Sequence, residues 1–268
     1  MEIIGYLSCF MVGLILGLIG AGGSLLIIPI LVYFFAIDIV AATSYSLIIV
    51  GATSMVGVVQ RIREASVDLK TGLILGIPSI VTIFITRKWL LPSIPEMLFQ
   101  TQGIVLTKRH LILVLFSLLI FTASYCMLSK NHGNIIKYKQ GNTLYMIVLG
   151  SLIGLLTGIV GIGGGFLLLP ALIFMAGLPF SIAVGTSLFI IAIKSLTGFT
   201  ADLSHLTIDW SFLLLIVGFT TAGICSGNII SGKFSSVMLK HYFGWFTLLV
   251  GIVILLKETI TIFGTNQL

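Results

Sequence analysis

Charge is what this 268-residue sequence has least of: 14 Lys and Arg and 8 Asp and Glu, or 8% of the chain, where a soluble domain carries about 25%. That scarcity excludes a soluble globular protein. Cysteine is rarer still. Cys9, Cys126 and Cys225 are an odd number and lie inside apolar stretches, which argues against a disulfide framework or a cysteine metal site and leaves buried thiols. The sequence has no G-x-S-x-G, H-E-x-x-H or Walker pattern, and His110, His132, His205 and His241 are scattered without ligand spacing. Neither an enzyme, a metal nor a cofactor is therefore expected. Alternating apolar and polar residues are also missing, which argues against a β-barrel.

What the chain does have is apolar length. Hydrophobic residues make up 58%, the mean hydropathy is +1.22, and there are 30 glycines. Only helices or closed barrels satisfy their backbones in lipid, so the expected fold is an all-α polytopic membrane protein, with the bilayer as its first partner. The net charge of +6 does not indicate a nucleic-acid partner, because the basic residues form short clusters between apolar runs, as membrane flanks do. Glu2 and the absence of a basic leader make the first apolar run a retained membrane segment.

A membrane helix needs about 20 apolar residues. Runs of that order lie near 40–60, 69–86, 105–128, 180–201, 208–230 and 238–256. Two longer runs, 3–36 and 143–176, are interrupted by Gly20-Ala21-Gly22-Gly23-Ser24 and by Gly161-Ile162-Gly163-Gly164-Gly165. These interruptions belong to an internal repeat. GLIGAGGSLLIIP (Gly17 to Pro29) aligns without a gap on GIVGIGGGFLLLP (Gly158 to Pro170), Ala42-Thr43-Ser44 on Gly185-Thr186-Ser187, and Val67-Asp68-Leu69 on Ile208-Asp209-Trp210. The chain thus divides into a first repeat at 1–128, a basic polar linker at 129–142 and a second repeat at 143–268.

Two topologies are open. If each long run crosses once, the basic residues split almost evenly between the two faces. If each is a broken pair that enters and returns, Arg61, Arg63, Lys70, Lys130, Lys137, Lys139, Lys233 and Lys240 share one side. Arg87, Lys88, Lys108, Arg109 and Lys257 then lie opposite. The positive-inside rule favours the second arrangement, with about five helical elements per half, inverted repeats and both termini external.

Irregular backbone at membrane depth is tolerated where it is buried in protein or lines a cavity. A glycine break exposes the N–H groups of the half-helix that follows it, an end suited to anions, and paired breaks of this kind form the sites of many transporters. Close helix packing is the alternative role for such glycines. Thr43, Ser44, Thr186 and Ser187 follow the breaks and either donate to an anion or bond their own helix backbone. Lys194 is the one charge deep in an apolar helix, sharing a face with Ser187, Gly198 and Ala201; its counterpart in the first half is Gly51. An intramembrane lysine is by default functional, the alternative being that it snorkels towards Asp202. The acidic residues all fall near helix ends or loops, so no midmembrane carboxylate for a proton relay is expected.

The candidate substrate-binding set is therefore Gly20, Ala21, Gly22, Gly23, Ser24, Thr43, Ser44, Gly161, Ile162, Gly163, Gly164, Gly165, Thr186, Ser187 and Lys194. Around a small anion these would make a permease with alternating access. A nontransporting membrane scaffold and a channel-like facilitator are the alternatives, and a homo-oligomer is compatible with each.

The paired G-x-x-G-x-G-G stretches ending in Pro29 and Pro170, the Ala-Thr-Ser and Gly-Thr-Ser that follow, and the two V/I-D-x helix openings resemble the sulfite exporter TauE/SafE family of bacterial permeases. The resemblance covers nearly the whole chain. It implies a multi-pass protein of the bacterial inner membrane that moves a small sulfur-containing anion, such as sulfite or an organosulfonate. Two departures stand out: Ser24 occupies the position of Gly165, and 92–110 has no counterpart in the second half.

Overall fold

A computed structural model describes residues 2–20, 23–101, 104–128, 143–161, 163–203, 208–231 and 235–264. The linker expected at 129–142 lies outside the described residues, as do Ala21, Gly22, Ile162, His132, His205 and Lys233 and the side chains of Ser24, Cys126, Lys240 and Lys257. The described residues form α1 (Glu2–Ile19), α2 (Ser24–Tyr33), α3 (Ile39–Arg63), α4 (Leu69–Ile85), α5 (Leu91–Ser93), β1 (Met97–Thr101), β2 (Ile104–Thr107) and α6 (Lys108–Leu128). The second half follows with α7 (Thr143–Val160), α8 (Gly165–Pro170), α9 (Phe180–Asp202), α10 (Trp210–Ser231) and α11 (Ser236–Gly264). One π-helical turn, Thr86–Leu90, joins α4 to α5, and another, Ala171–Met175, extends α8. Six stretches among the described residues are long and apolar enough to cross a membrane: Ile39–Arg63, Leu69–Ser93, Lys108–Tyr125, Thr143–Val160, Phe180–Asp202 and Trp210–Ser231.

Both long apolar runs are broken where the glycines predict. The recurring aspartates are explained by helix starts. The Asp68 carboxylate accepts from the backbone N–H groups of Lys70 and Thr71 at 3.1 and 3.3 Å, and Asp209 accepts from that of Phe212 at 3.1 Å, each satisfying an orphan donor of a first turn. The half-helices end alike. Ile37 N–H donates to Leu31 O and Leu178 N–H to Leu172 O, both at 3.0 Å, and the residue before each donor is left-handed, Ala36 at φ 54° and Gly177 at φ 70°. This closure, from residue i+6 back to residue i and so one residue wider than the six-to-one bond common at helix ends, occurs at the matching place after each glycine break.

Glycines set the packing. Gly13, Gly17, Gly223 and Gly227 hold α1 against α10, with Gly13 facing Thr220 and Gly17 facing Ile224 and Asn228, so the two helices run parallel. The equivalent contact, with the halves exchanged, is α7 on α4, where Gly150 faces Leu75, Gly154 faces Ser79 and Gly158 faces Thr86, again in parallel. Backbones approach closely there because no Cβ intervenes. At the centre α3 crosses α9 with Gly51 on Leu196, Gly57 on Leu188 and Gly198 on Leu47. One numbering rises as the other falls, so this pair is antiparallel. The α6 and α11 pair is antiparallel too, with Gly244 on Leu128 and Gly251 on Ile120.

The stretch at 92–110 corrects two expectations. The helix predicted from 105 begins at Lys108, and ahead of it β1 and β2 form an antiparallel hairpin with Thr101 opposite Ile104, Gln100 opposite Val105 and Phe99 opposite Leu106. Ile104, Val105 and Thr107 are β-branched residues, which explains the departure from a purely helical chain. Lys108, predicted as a membrane-flank charge, is buried and anchors the hairpin: its backbone N–H donates to Glu96 O at 3.0 Å, and Nζ lies 3.7 Å from Glu96 Oε1.

Candidate functional site

Both glycine breaks begin with the same geometry. α1 closes with Gly20 N–H on Leu16 O at 2.7 Å, α7 with Gly161 N–H on Thr157 O at 2.8 Å, and each of these glycines has φ 76°. A left-handed residue at this point requires glycine, since a Cβ is penalised there. Each break is seated against the long helix of the other half. Gly20 packs on Val184 of α9 and Gly161 on Thr43 of α3. The Thr-Ser pairs therefore serve the break of the opposite repeat, which their order along the chain concealed. Ser187 Oγ donates to Gly20 O at 3.2 Å and to Val184 O at 2.8 Å. Thr186 Oγ1 accepts from Asp68 N–H at 2.9 Å, and Thr43 Oγ1 donates to Val40 O at 2.7 Å. All four hydroxyls are buried.

The breaks differ in what surrounds them. Around the first, the side chains that face the glycine Cα atoms are apolar: Gly20 meets Val184, and Gly23, which is right-handed helical, packs on Leu16 beside the Val12 carbonyl. Around the second they are donors. A Cβ built on Gly163 would fall 2.5 Å from Ser195 Oγ, and one on Gly164, at φ 76°, would fall 2.5 Å from Lys194 Nζ. A Cβ on Gly161 would overlap the guanidinium Nη2 of Arg87. Gly165, which opens α8, is buried beside them. The half-helix itself has six α-helical residues before its π turn, so the positive character of this break comes chiefly from side chains.

Lys194 is fully buried, and its Nζ donates to Thr157 Oγ1 at 3.1 Å, a hydroxyl that in turn donates to Ile153 O at 2.6 Å. The alternative in which Lys194 snorkels towards Asp202 is not what the structure has, because that carboxylate belongs to Arg87. Arg87 Nη1 lies 3.2 Å from Asp202 Oδ2 and donates to Thr43 Oγ1, also at 3.2 Å, while Ser44 Oγ donates to the same Asp202 oxygen at 2.5 Å. Arg87 and Asp202 are 1% and 6% exposed. A pair of charges taken out of water is costly unless well hydrogen-bonded, and here three elements supply the bonds.

Arg87 is the residue the sequence concealed, and it corrects two expectations at once. It is not a flank charge, and Lys194 is not alone as a buried cation, while Asp202 ends α9 as expected and is buried beside Arg87. The apolar run of α4 reads as ending at 86, whereas the helical path continues through the π turn and α5 to Ser93. π turns recur at functional sites, and the apolar Trp89-Leu90-Leu91 beyond Arg87 was the available signal. Arg61, also predicted as a flank charge, is buried as well. Its Nη2 donates to Gly17 O and to Ser231 Oγ, each at 3.2 Å, and so covers a carbonyl in the last turn of α1.

Comparison with known proteins agrees with this architecture. The family model described as sulfite exporter TauE/SafE matches residues 6–254. The "Probable membrane transporter protein YdhB" of Bacillus subtilis (strain 168) is 29% identical over 236 residues, covering 87% of this chain and 90% of that protein. A "Probable membrane transporter protein" of Xylella fastidiosa (strain 9a5c) is 26% identical over 92% of both chains. The "Probable membrane transporter protein YunE" of Bacillus subtilis is 27% identical over 76% of this chain and 81% of its own. No solved structure matches. The family model spans both glycine breaks and the helices seated on them, and the chain belongs to the sulfite exporter TauE/SafE family of multi-pass membrane proteins.

Proposed function

We propose that the chain is a permease that exports a small sulfur-containing anion, such as sulfite or a short organosulfonate, across the bacterial inner membrane. The observation that carries this reading is the placement of two buried cations, Lys194 and Arg87, against one glycine break among apolar helices. Buried charge in a membrane protein is expensive to keep and marks a substrate path. Glycine brings backbone and ligand close, and the second break, with Thr43 beside it, is the anion end of the candidate set.

Alternating access fits the duplication. The repeats at 1–128 and 143–268 are read as inverted, with both termini external, and the helix directions support this. α3 and its counterpart α9 are antiparallel, as are α6 and α11, while α4 runs parallel with α7 and α1 with α10. Equivalent helices then point in opposite directions throughout, as an axis in the membrane plane requires. With the cell interior negative, each expelled negative charge gains about 2.3 kcal/mol per 100 mV, a sufficient driving force for efflux.

Purified protein titrated with sulfite and short sulfonates should gain thermal stability, Lys194→Met should lose that gain while remaining folded, and reconstituted vesicles should show saturable counterflow that follows an imposed potential. Counterflow without saturation would indicate a channel. Unchanged anion affinity in Lys194→Met would overturn the role given to the lysine.

A further inference from the structure

Arg87 leaves an unused edge. Its Nη1 is engaged by Asp202 and Thr43, whereas Nε and Nη2 are buried and without a hydrogen-bond partner among the described residues. Nε and Nη2 together are the fork with which a guanidinium takes two oxygens of a carboxylate, phosphate or sulfonate in parallel. Buried donors are rarely left unmade. The same holds for Ser195 Oγ, which is fully buried, unpartnered among the described residues and set against Gly163. Lys194 adds an ammonium with three donors, of which Thr157 takes one. Arg87 Nη2 lies at Gly161, Ser195 Oγ at Gly163 and Lys194 Nζ at Gly164. Three residues of chain span at most about 10 Å, so all three donors line one short loop.

The charges around that loop are unequal in number. Arg87 and Lys194 bring two positive charges, and Asp202, bonded to Arg87 on the side away from the free fork, brings one negative charge. The remainder is a single positive charge. We propose that the second break is a site for a singly charged oxyanion, held by the Nε/Nη2 fork of Arg87, Ser195 Oγ and Lys194 Nζ, with Asp202 as the positioning residue that orients Arg87 and sets the charge of the accepted anion. This rests on the anion-permease reading and narrows it to monovalent sulfonate-like species over their divalent counterparts. A second negative charge would enter a buried, low-dielectric site uncompensated, which such sites resist.

Methanesulfonate and sulfate test this, being similar in shape and differing in charge by one. Wild-type protein should be stabilised by methanesulfonate at concentrations at least tenfold below those at which sulfate acts. Asp202→Asn removes the resident negative charge and should move that ratio at least tenfold towards sulfate. Ser195→Ala should weaken methanesulfonate several-fold without lowering the melting temperature of the anion-free protein. A wild-type preference for sulfate overturns the inference, whether or not Asp202→Asn folds. So does an unmoved ratio in folded Asp202→Asn, a result that leaves the permease reading standing. Wild-type protein indifferent to every anion overturns both.

Discussion

Thr43 of the first repeat supports Gly161 of the second: the threonine side chain packs on the left-handed glycine that ends α7, and its hydroxyl accepts from Arg87. The contact is interlocked, since Val184 of the second repeat lies in the same way on Gly20 of the first. Neither half assembles its break alone.

Gly161→Ala should therefore be severe. The backbone is at φ 76° and the new Cβ overlaps both Thr43 and Arg87. The conformational penalty alone is about 1–2 kcal/mol, and the steric overlap adds to it. A fall in melting temperature of roughly 5 °C or more is expected, with anion-induced stabilisation lost. Gly218→Ala is the control, because its Cβ meets nothing within 4 Å. It should leave melting unchanged or raise it slightly. Equal behaviour of the two variants in detergent would contradict the geometry described for the break.

Ala36 and Gly177 close the two half-helices in the same left-handed conformation, and one of them carries a Cβ. Ala36→Gly should stabilise the protein by up to about 1 kcal/mol, and Gly177→Ala should destabilise it by at least as much. Thermal melting of both single variants checks the pair, and a reversal of either sign counts against the shared closure.

The loops after the half-helices distinguish inverted from parallel repeats. Asp38 and Pro179 are exposed, each preceding the long helix of its half. With the natural cysteines removed, Asp38→Cys and Pro179→Cys should react with a membrane-impermeant thiol reagent from opposite faces of oriented vesicles. Labelling of both from one face would rule out inverted topology.

Much of the scaffold was legible in the sequence because membrane folds are governed by run length and glycine spacing. The thirteen-residue repeat located both breaks, and Asp68 and Asp209 marked the helix starts where caps were found. What escaped was pairing across halves. Thr43 and Ser44 read as followers of the first glycine break, yet they lie at the second, Thr43 on Gly161 and Ser44 on Asp202, each partner in the other half of the chain. Arg87 was missed for a related reason. A charge at the end of an apolar run looks like a membrane flank, and a π turn that carries the helix past it leaves no periodicity to read. The hairpin at 97–107 escaped because its strands are too short to show alternation among apolar residues.

The glycines that face main chain also govern how this protein can vary over generations. Gly13, Gly17, Gly150, Gly154, Gly223 and Gly227 each lie against a carbonyl oxygen of a neighbouring helix, and a carbonyl cannot rotate aside as a side chain can. An added methyl there displaces a whole helix, whereas the lipid-facing positions accept almost any apolar residue. Drift is thus confined to the outer faces.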